Sequence, residues 1–354
     1  MIITSRTIHG SGKMGMTYAR SGVDIDAKSR AISALVKQLA FRREGRGAPV
    51  ELCGHFSGLI DFGDCYLSMC TDGVGTKLMV AEALNKWDTV GIDCVAMNAN
   101  DMICVGAEPL AFVDYIAVDR PRPEVVAEIG KGLSRGAELA NVSVIGGETA
   151  VLPEMVRGLD LSGTCLGYVN KGREVTGRSI AVGDVVVGVE SSGIHSNGLT
   201  LARRVFRDAG VNLLDTLPGE ETSVGEELLR PTHIYVRPVI EILRRTEVHG
   251  IANITGGGLR NLLRLRKGVQ IRIEHPLPPQ PVFGAIQKLG RVTTREMYQT
   301  FNMGMGLALI APQSSVETIT EVFSKHGLRA EAVGRVARGN GVALVKHKLL
   351  YTKY

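Results

Sequence analysis

Four acidic side chains in the first half of the chain sit in apolar or glycine-rich surroundings, and that setting points to chemistry. In Gly91-Ile92-Asp93-Cys94-Val95-Ala96-Met97-Asn98-Ala99-Asn100-Asp101, helical spacing puts Asp93, Met97, Asn100 and Asp101 on one stripe, because positions i, i+4, i+7 and i+8 share a face. A buried carboxylate without a partner is costly, so such groups are paired, hydrogen-bonded or bound to metal. Asp72 stands at a strand end before a glycine turn, and Glu148 follows Gly146-Gly147, positions from which both could converge on the same cation. Oxygen donors with no matching His/Cys set suit Mg²⁺, which usually arrives with the phosphates of a nucleotide. The same spacing also suits helix N-caps and solvent-facing carboxylates.

Asp72-Gly73-Val74-Gly75-Thr76-Lys77 fits a phosphate-cradling turn. Gly73 and Gly75 let backbone N–H groups approach, a following helix offers its positive end, and Lys77 supplies a full charge. Tight strand-to-helix connections use the same residues, but the second half repeats the device at Ser192-Gly193-Ile194-His195-Ser196-Asn197-Gly198 and at Thr255-Gly256-Gly257-Gly258. Two phosphorylated ligands, one per domain, would account for the recurrence. Ser196 and Asn197 are N-cap candidates that would leave His195 free to face a ligand. Asp114 stands mid-strand and needs a partner, which the sequence does not choose.

The elements that position these residues follow from periodicity. Helices are expected at Ile32–Phe41, Leu78–Leu84, Thr89–Val105, Pro123–Ala140, Leu199–Ala209, Tyr235–Arg245 and Glu317–His326, with another opened by the triple glycine. Strands are expected at Tyr66–Thr71, Leu110–Val118 (buried on both faces), Ser143–Ile145, Leu161–Val169, Val185–Val189 and Val269–Glu274, with Gly146–Thr149 a loop and two short strands closing the chain. Both halves mix element types without a strict βαβ rhythm, which gives an α+β fold of two mixed α/β domains. The division is a loose leader at 1–16, a first domain at 17–170 and a second at 171–354, joined through Lys171–Gly183.

Composition bounds the partners. The 354 residues are 44% hydrophobic and 22% charged, so the chain can bury a sizeable core. A net charge of +5 is too dispersed to argue for nucleic acid. No apolar run suits a membrane span or a signal peptide, so a cytoplasmic location is expected. Six cysteines without a Cys-x-x-Cys pair read as reduced, packed thiols.

The motifs taken in order resemble the phosphoribosylformylglycinamidine cyclo-ligase family. They are Tyr18 with Ser21–Ala27, Thr71–Lys77, Asp88–Asp93, Asn100-Asp101, Gly106–Leu110, Gly146–Ala150, Ser192–Gly198, Pro231–Val236, the triple glycine and Glu296–Asn302, and they span the chain from Tyr18 onward. The resemblance implies a homodimer whose amino-terminal domains share a β-barrel-like interface, a carboxy-terminal α/β sandwich, and ATP with Mg²⁺ as cosubstrate and cofactor; a K⁺ requirement stays open. It implies ATP-dependent closure of formylglycinamidine ribonucleotide to aminoimidazole ribonucleotide in purine biosynthesis, through phosphorylation of the formyl oxygen.

On that resemblance Asp72, Asp93, Asp101 and Glu148 form the pool of metal ligands. Gly73, Gly75, Thr76 and Lys77 hold ATP phosphates, with Asp114 a weaker nucleotide contact. His195, Ser196, Asn197, Thr255, Gly256, Gly257 and Gly258 face the ribonucleotide. His195, Asp72 and Lys77 are the expected catalytic groups, His195 as a proton shuttle. Three departures stand out. The leader adds nothing to the family pattern, and a start at Met16 is one expectation for it. Ala19 and Arg20 occupy positions where a lysine and an acidic residue are common, and Asn253 replaces a histidine before the triple glycine. The alternatives are another ATP-using enzyme of the same superfamily and a non-catalytic nucleotide-binding dimer. No cysteine among residues 1–30 or at the carboxy end supports the selenophosphate-forming or hydrogenase-maturation relatives.

Overall fold

The structure, a computed structural model, describes residues 15–354 apart from 20, 23, 24, 53, 218 and 219, with residues 25, 26 and 29 described in their backbone only. The leader at 1–16 therefore lies outside the described residues except for Gly15 and Met16, and so does Arg20.

The first domain carries α1 (Ile25–Gln38), β1 (Pro49–Val50), β2 (Gly58–Asp61), β3 (Cys65–Gly73), α2 (Leu78–Leu84), α3 (Val90–Ile103), β4 (Glu108–Val118), α4 (Pro123–Ala140), β5 (Ser143–Val151) and β6 (Leu159–Asn170). Its six strands form one sheet in the order β1-β2-β3-β6-β4-β5. The second domain carries β7 (Val185–Glu190), α5 (Leu199–Asp208), α6 (Val224–Leu229), α7 (Val236–Arg245), β8 (Gly250–Asn253), β9 (Val269–Ile273), α8 (Pro281–Gly290), α9 (Thr294–Thr300), β10 (Met305–Ala311), α10 (Val316–Lys325), β11 (Ala330–Arg338), β12 (Gly341–Leu344) and β13 (Leu349–Tyr351). Its sheet runs β13-β12-β9-β11-β7-β10-β8. Three strands close the chain rather than two, and α1 begins seven residues before the expected start.

Helix α3 is buried almost all round, as a helix apolar on every side must be. One side packs on the first sheet and the other on α7 and β8 of the second domain. Alongside it, α4 starts with Pro123 in its first turn and stops at Asn141, whose φ of 55° ends the helix in the left-handed region. In the second domain β10 and β8 are buried throughout, whereas β9 alternates buried Val269, Ile271 and Ile273 with half-exposed Gln270 and Arg272, as its sequence predicts. Residues 171–183 run as a coil pinned by the Val175 N–H donating to the Val105 carbonyl.

Two expectations for the first sheet need correction. Strand β4 is not buried on both faces: Phe112 and Ile116 turn toward the helices, but Leu110, Val113 and Tyr115 face outward and are exposed. The segment Gly146-Gly147-Glu148-Thr149 is not a loop. It continues β5, paired parallel to β4 from Ala111↔Ser143 to Val118↔Val151. Glycine serves there for close approach, because a Cβ on Gly147 would lie 2.4 Å from the Asp114 carboxylate. The open face of this sheet presents Met69, Leu110, Val113, Tyr115 and Ile145.

Candidate active site

Helix α3 forms the seam between the domains, and the polar stripe expected on it is the part that meets the second domain. At one end Asp93 is fully buried against Lys77, at 2.8 Å, and accepts hydrogen bonds from the Thr232 N–H (2.9 Å) and hydroxyl (2.6 Å). In the middle the Asn197 amide reaches the Met97 sulfur at 3.8 Å. Asn100 donates to the His233 carbonyl at 2.7 Å and accepts from the Tyr235 N–H at 3.0 Å. At the far end Asp101 accepts from the Asn253 amide at 2.8 Å. The stripe therefore works first as an adhesive surface.

This geometry sorts the four carboxylates. Asp93 and Asp101 are eight residues apart, about 12 Å along a helix axis, so they cannot share one ion. Asp72 stays near Asp101: the Asn98 side chain of α3 donates to the Asp72 carbonyl at 3.2 Å, and the two charges act on each other. Glu148 sits directly opposite Tyr115 on the outward face of the sheet and is exposed. Asp72, Gly163, Asp114 and Gly147 make one cross-strand row on the helix-facing side, which keeps Asp114 a strand away from Asp72. Among the described residues no group of three or more His, Cys, Asp or Glu side chains could hold a metal ion.

Burial pushes Asp101 up to about 7; the Asn253 hydrogen bond opposes this and the Asp72 charge adds to it. Asp72 is raised as well, by its surroundings, against the pull of the Gly73 N–H at 2.8 Å.

The glycine turn after Asp72 leads through a 3-10 turn, Gly75–Lys77, straight into α2. Lys77 does not project from it. Its ammonium is buried between Asp93 and the Arg230 carbonyl, 2.7 Å away. Thr76 meets Thr200 of the second domain, hydroxyl to hydroxyl, at 3.0 Å. What the turn offers a ligand is its backbone.

Across the seam lie the two other glycine loops. Gly198, not Ser196 or Asn197, caps α5, with φ of 78° and no side-chain cap bond. Ser196 instead lies 3.4 Å from the Thr232 hydroxyl. His195 is 4% exposed and left-handed, with φ of 61°. Burial holds its pKa well below the ordinary histidine value, and His233 and Lys77 add to the effect. Asn302 braces this loop by donating to the Gly193 carbonyl at 2.9 Å and accepting from the Ser191 hydroxyl at 2.9 Å. Thr255 accepts from Asn261 at 3.2 Å, and the triple glycine opens a 3-10 turn, Gly258–Arg264, rather than an α-helix. Gly256 packs against Asn197, so the loops touch.

Periodicity and spacing singled out neither Asn253 nor Thr232. Each lies more than 130 residues from its partner on α3, and only the packed seam shows what it does.

Comparison with known proteins bears on the whole chain. The family described as AIR synthase related protein, N-terminal domain, matches residues 54–169, and its C-terminal domain counterpart matches residues 181–347. Phosphoribosylformylglycinamidine cyclo-ligase of Methanocaldococcus jannaschii is 48% identical over 343 residues, covering 94% of this chain and 97% of that protein. The protein of the same name from Methanothermobacter thermautotrophicus is 50% identical over 333 residues, covering 93% and 97%. Among solved structures, thiamine-monophosphate kinase from Stenotrophomonas maltophilia superposes with a TM-score of 0.60 at 19% identity, covering 90% of this chain and 96% of its own. T. maritima PurL complexed with ADP gives 0.56 at 15% identity, covering 84% of this chain and 44% of that one. At such identities these two show a shared fold.

Proposed function

The chain belongs to the phosphoribosylformylglycinamidine cyclo-ligase family, and on that premise we propose how its residues carry out the family's reaction. It is an ATP-dependent ligase of purine biosynthesis that closes formylglycinamidine ribonucleotide into aminoimidazole ribonucleotide and releases ADP and phosphate. An amide oxygen is a poor leaving group. Placing the γ-phosphoryl on the formyl oxygen lets it depart as phosphate when the amidine nitrogen closes the ring, so the protein's work is positioning and charge neutralisation.

The observation that carries our assignment is that Asp72, which opens the first glycine turn, and Asp101 on α3 lie within electrostatic reach of one another at the seam, where Asp101 meets Asn253 of the second domain. Two carboxylates supplemented by phosphate oxygens suit Mg²⁺ better than an all-protein cage would. Asp72 and Asp101 would hold the ion, which when bound neutralises charge on the transferring phosphoryl group. The backbone of Gly73, Gly75 and Thr76 cradles the phosphates. Ser196, Asn197, Thr255 and Gly256–Gly258 face the ribonucleotide, with His195 among them. Lys77 contributes indirectly, by fixing Asp93 and through it the seam. Glu148 and Asp114 stand apart from this centre.

We further assign residues 17–170 and 171–354 to the nucleotide-binding and substrate-binding domains, the open apolar face of the first sheet to a homodimer interface, and the protein to the cytoplasm. Among the described residues no helix is long and apolar enough to cross a membrane.

Assays with formylglycinamidine ribonucleotide, ATP and Mg²⁺ test the assignment, and exchanging K⁺ for Na⁺ in them reads the monovalent-ion requirement. Asp72→Asn and Asp101→Asn should each lower kcat by about 100-fold or more at an unchanged melting temperature. Wild-type turnover in either variant removes that residue from the centre.

A further inference from the structure

His195 presents two ring nitrogens in different circumstances. The Ser192 N–H donates to Nε2 at 3.2 Å. A backbone N–H can only give a proton, so Nε2 must keep its lone pair and the neutral ring carries its hydrogen on Nδ1. Nδ1 has no partner among the described residues, and it is absent from the sealed polar atoms that lack one. The ring is held in this attitude at the cost of a left-handed backbone, which a non-glycine residue keeps only when its surroundings over-determine it. Those surroundings are visible. The Tyr235 hydroxyl is tied to the Glu190 carbonyl at 2.7 Å. Gly306 leaves the gap into which both rings fit, since a Cβ there would lie 2.1 Å from the Tyr235 hydroxyl and 2.7 Å from His195 Cε1.

We propose that His195 meets the bound anionic ligand as a fixed, neutral N–H donor through Nδ1, and not as the proton shuttle expected from its place between glycines. The inference rests on the ligase reading above and refines one residue of it. To act as a base the ring would take a proton on Nε2, forfeiting the Ser192 bond. The new charge would sit in a buried pocket close to the Lys77 ammonium of the first domain, with Asp93 committed to Lys77 and with His233, whose own pKa burial and Arg230 lower against the pull of Glu190, offering no counter-charge.

The tautomer can be read without substrate. Long-range ¹H–¹⁵N spectra of the wild-type ring should show Nδ1 protonated and Nε2 bare, unchanged from pH 5.5 to 8.5. A ring that titrates in that range, or one protonated at Nε2, overturns the proposal, whatever the enzyme turns over. In the assay His195→Ala should lose about 10- to 100-fold in kcat/KM, the scale of a hydrogen bond to a charged group. His195→Asn tolerates the left-handed backbone and keeps an N–H near Nδ1, so it should recover most of that loss with the wild-type pH profile. If Asn proves as impaired as Ala while folded, or if the wild-type profile has a limb that both variants lack, the proton-shuttle role stands instead.

Discussion

Lys77 and Asp93 illustrate how a residue's type can be read while its task is misjudged. A lysine after a glycine turn and an aspartate on an apolar helix both look like ligand contacts, yet here they satisfy one another at zero exposure. Removing one member of such a pair strands the other, at about 3–5 kcal/mol. Asp93→Ala should therefore lower unfolding free energy in urea by that amount, and the joint Lys77→Met/Asp93→Leu replacement should return much of it. An equal loss in the single and double variants would show that the pair carries no such charge debt. Asp101 differs by one circumstance. Its hydrogen-bond partner is the neutral Asn253 amide, and Arg264 acts on it only as a nearby charge.

Single elements were legible where their pattern was local. Helices α2 and α4 start and stop where spacing, Pro123 and the apolar face put them. The sequence expectation ends strand β5 early because Gly146-Gly147 reads as a turn, whereas Gly147 makes room for the Asp114 side chain on the neighbouring strand. Gly147→Ala should cost about 1–3 kcal/mol by pressing on Asp114, and the cost should fall in an Asp114→Ala background. A double-mutant cycle with no coupling would refute the close-approach explanation.

At the scale of the whole molecule, one face of the first sheet is covered by α3 and α4 and the other is bare and apolar. Soluble monomers rarely leave such a patch open. Ile145→Lys on that face should convert a particle of twice the chain mass to one of single mass by light scattering. A wild-type protein already monomeric at micromolar concentration would sink the dimer assignment. A clasp in the second domain sets a pH dependence: His249 bonds Asp184 at 2.7 Å and Glu247 at 2.9 Å. Burial works to lower its pKa, but the two carboxylates prevail and the net shift is upward from 6.5. The clasp therefore stabilises fully below that value and loses its contribution as pH rises through the higher folded one. The melting temperature of His249→Gln should trail wild type most near pH 5.5 and converge with it by pH 9. A constant gap across that range would count against the clasp.

The chain by itself determined its two-domain α+β class, its ordered family motifs and the stripe on α3, because these rest on local periodicity and on short runs of residues. Only the packed molecule decided which carboxylates come within reach of one another, that Lys77 turns inward, that Asn253 answers Asp101 and which nitrogen of His195 accepts the Ser192 N–H. Those facts depend on contacts between separate elements, two of them more than 150 residues apart along the chain, or on backbone angles that no nearest-neighbour pattern encodes.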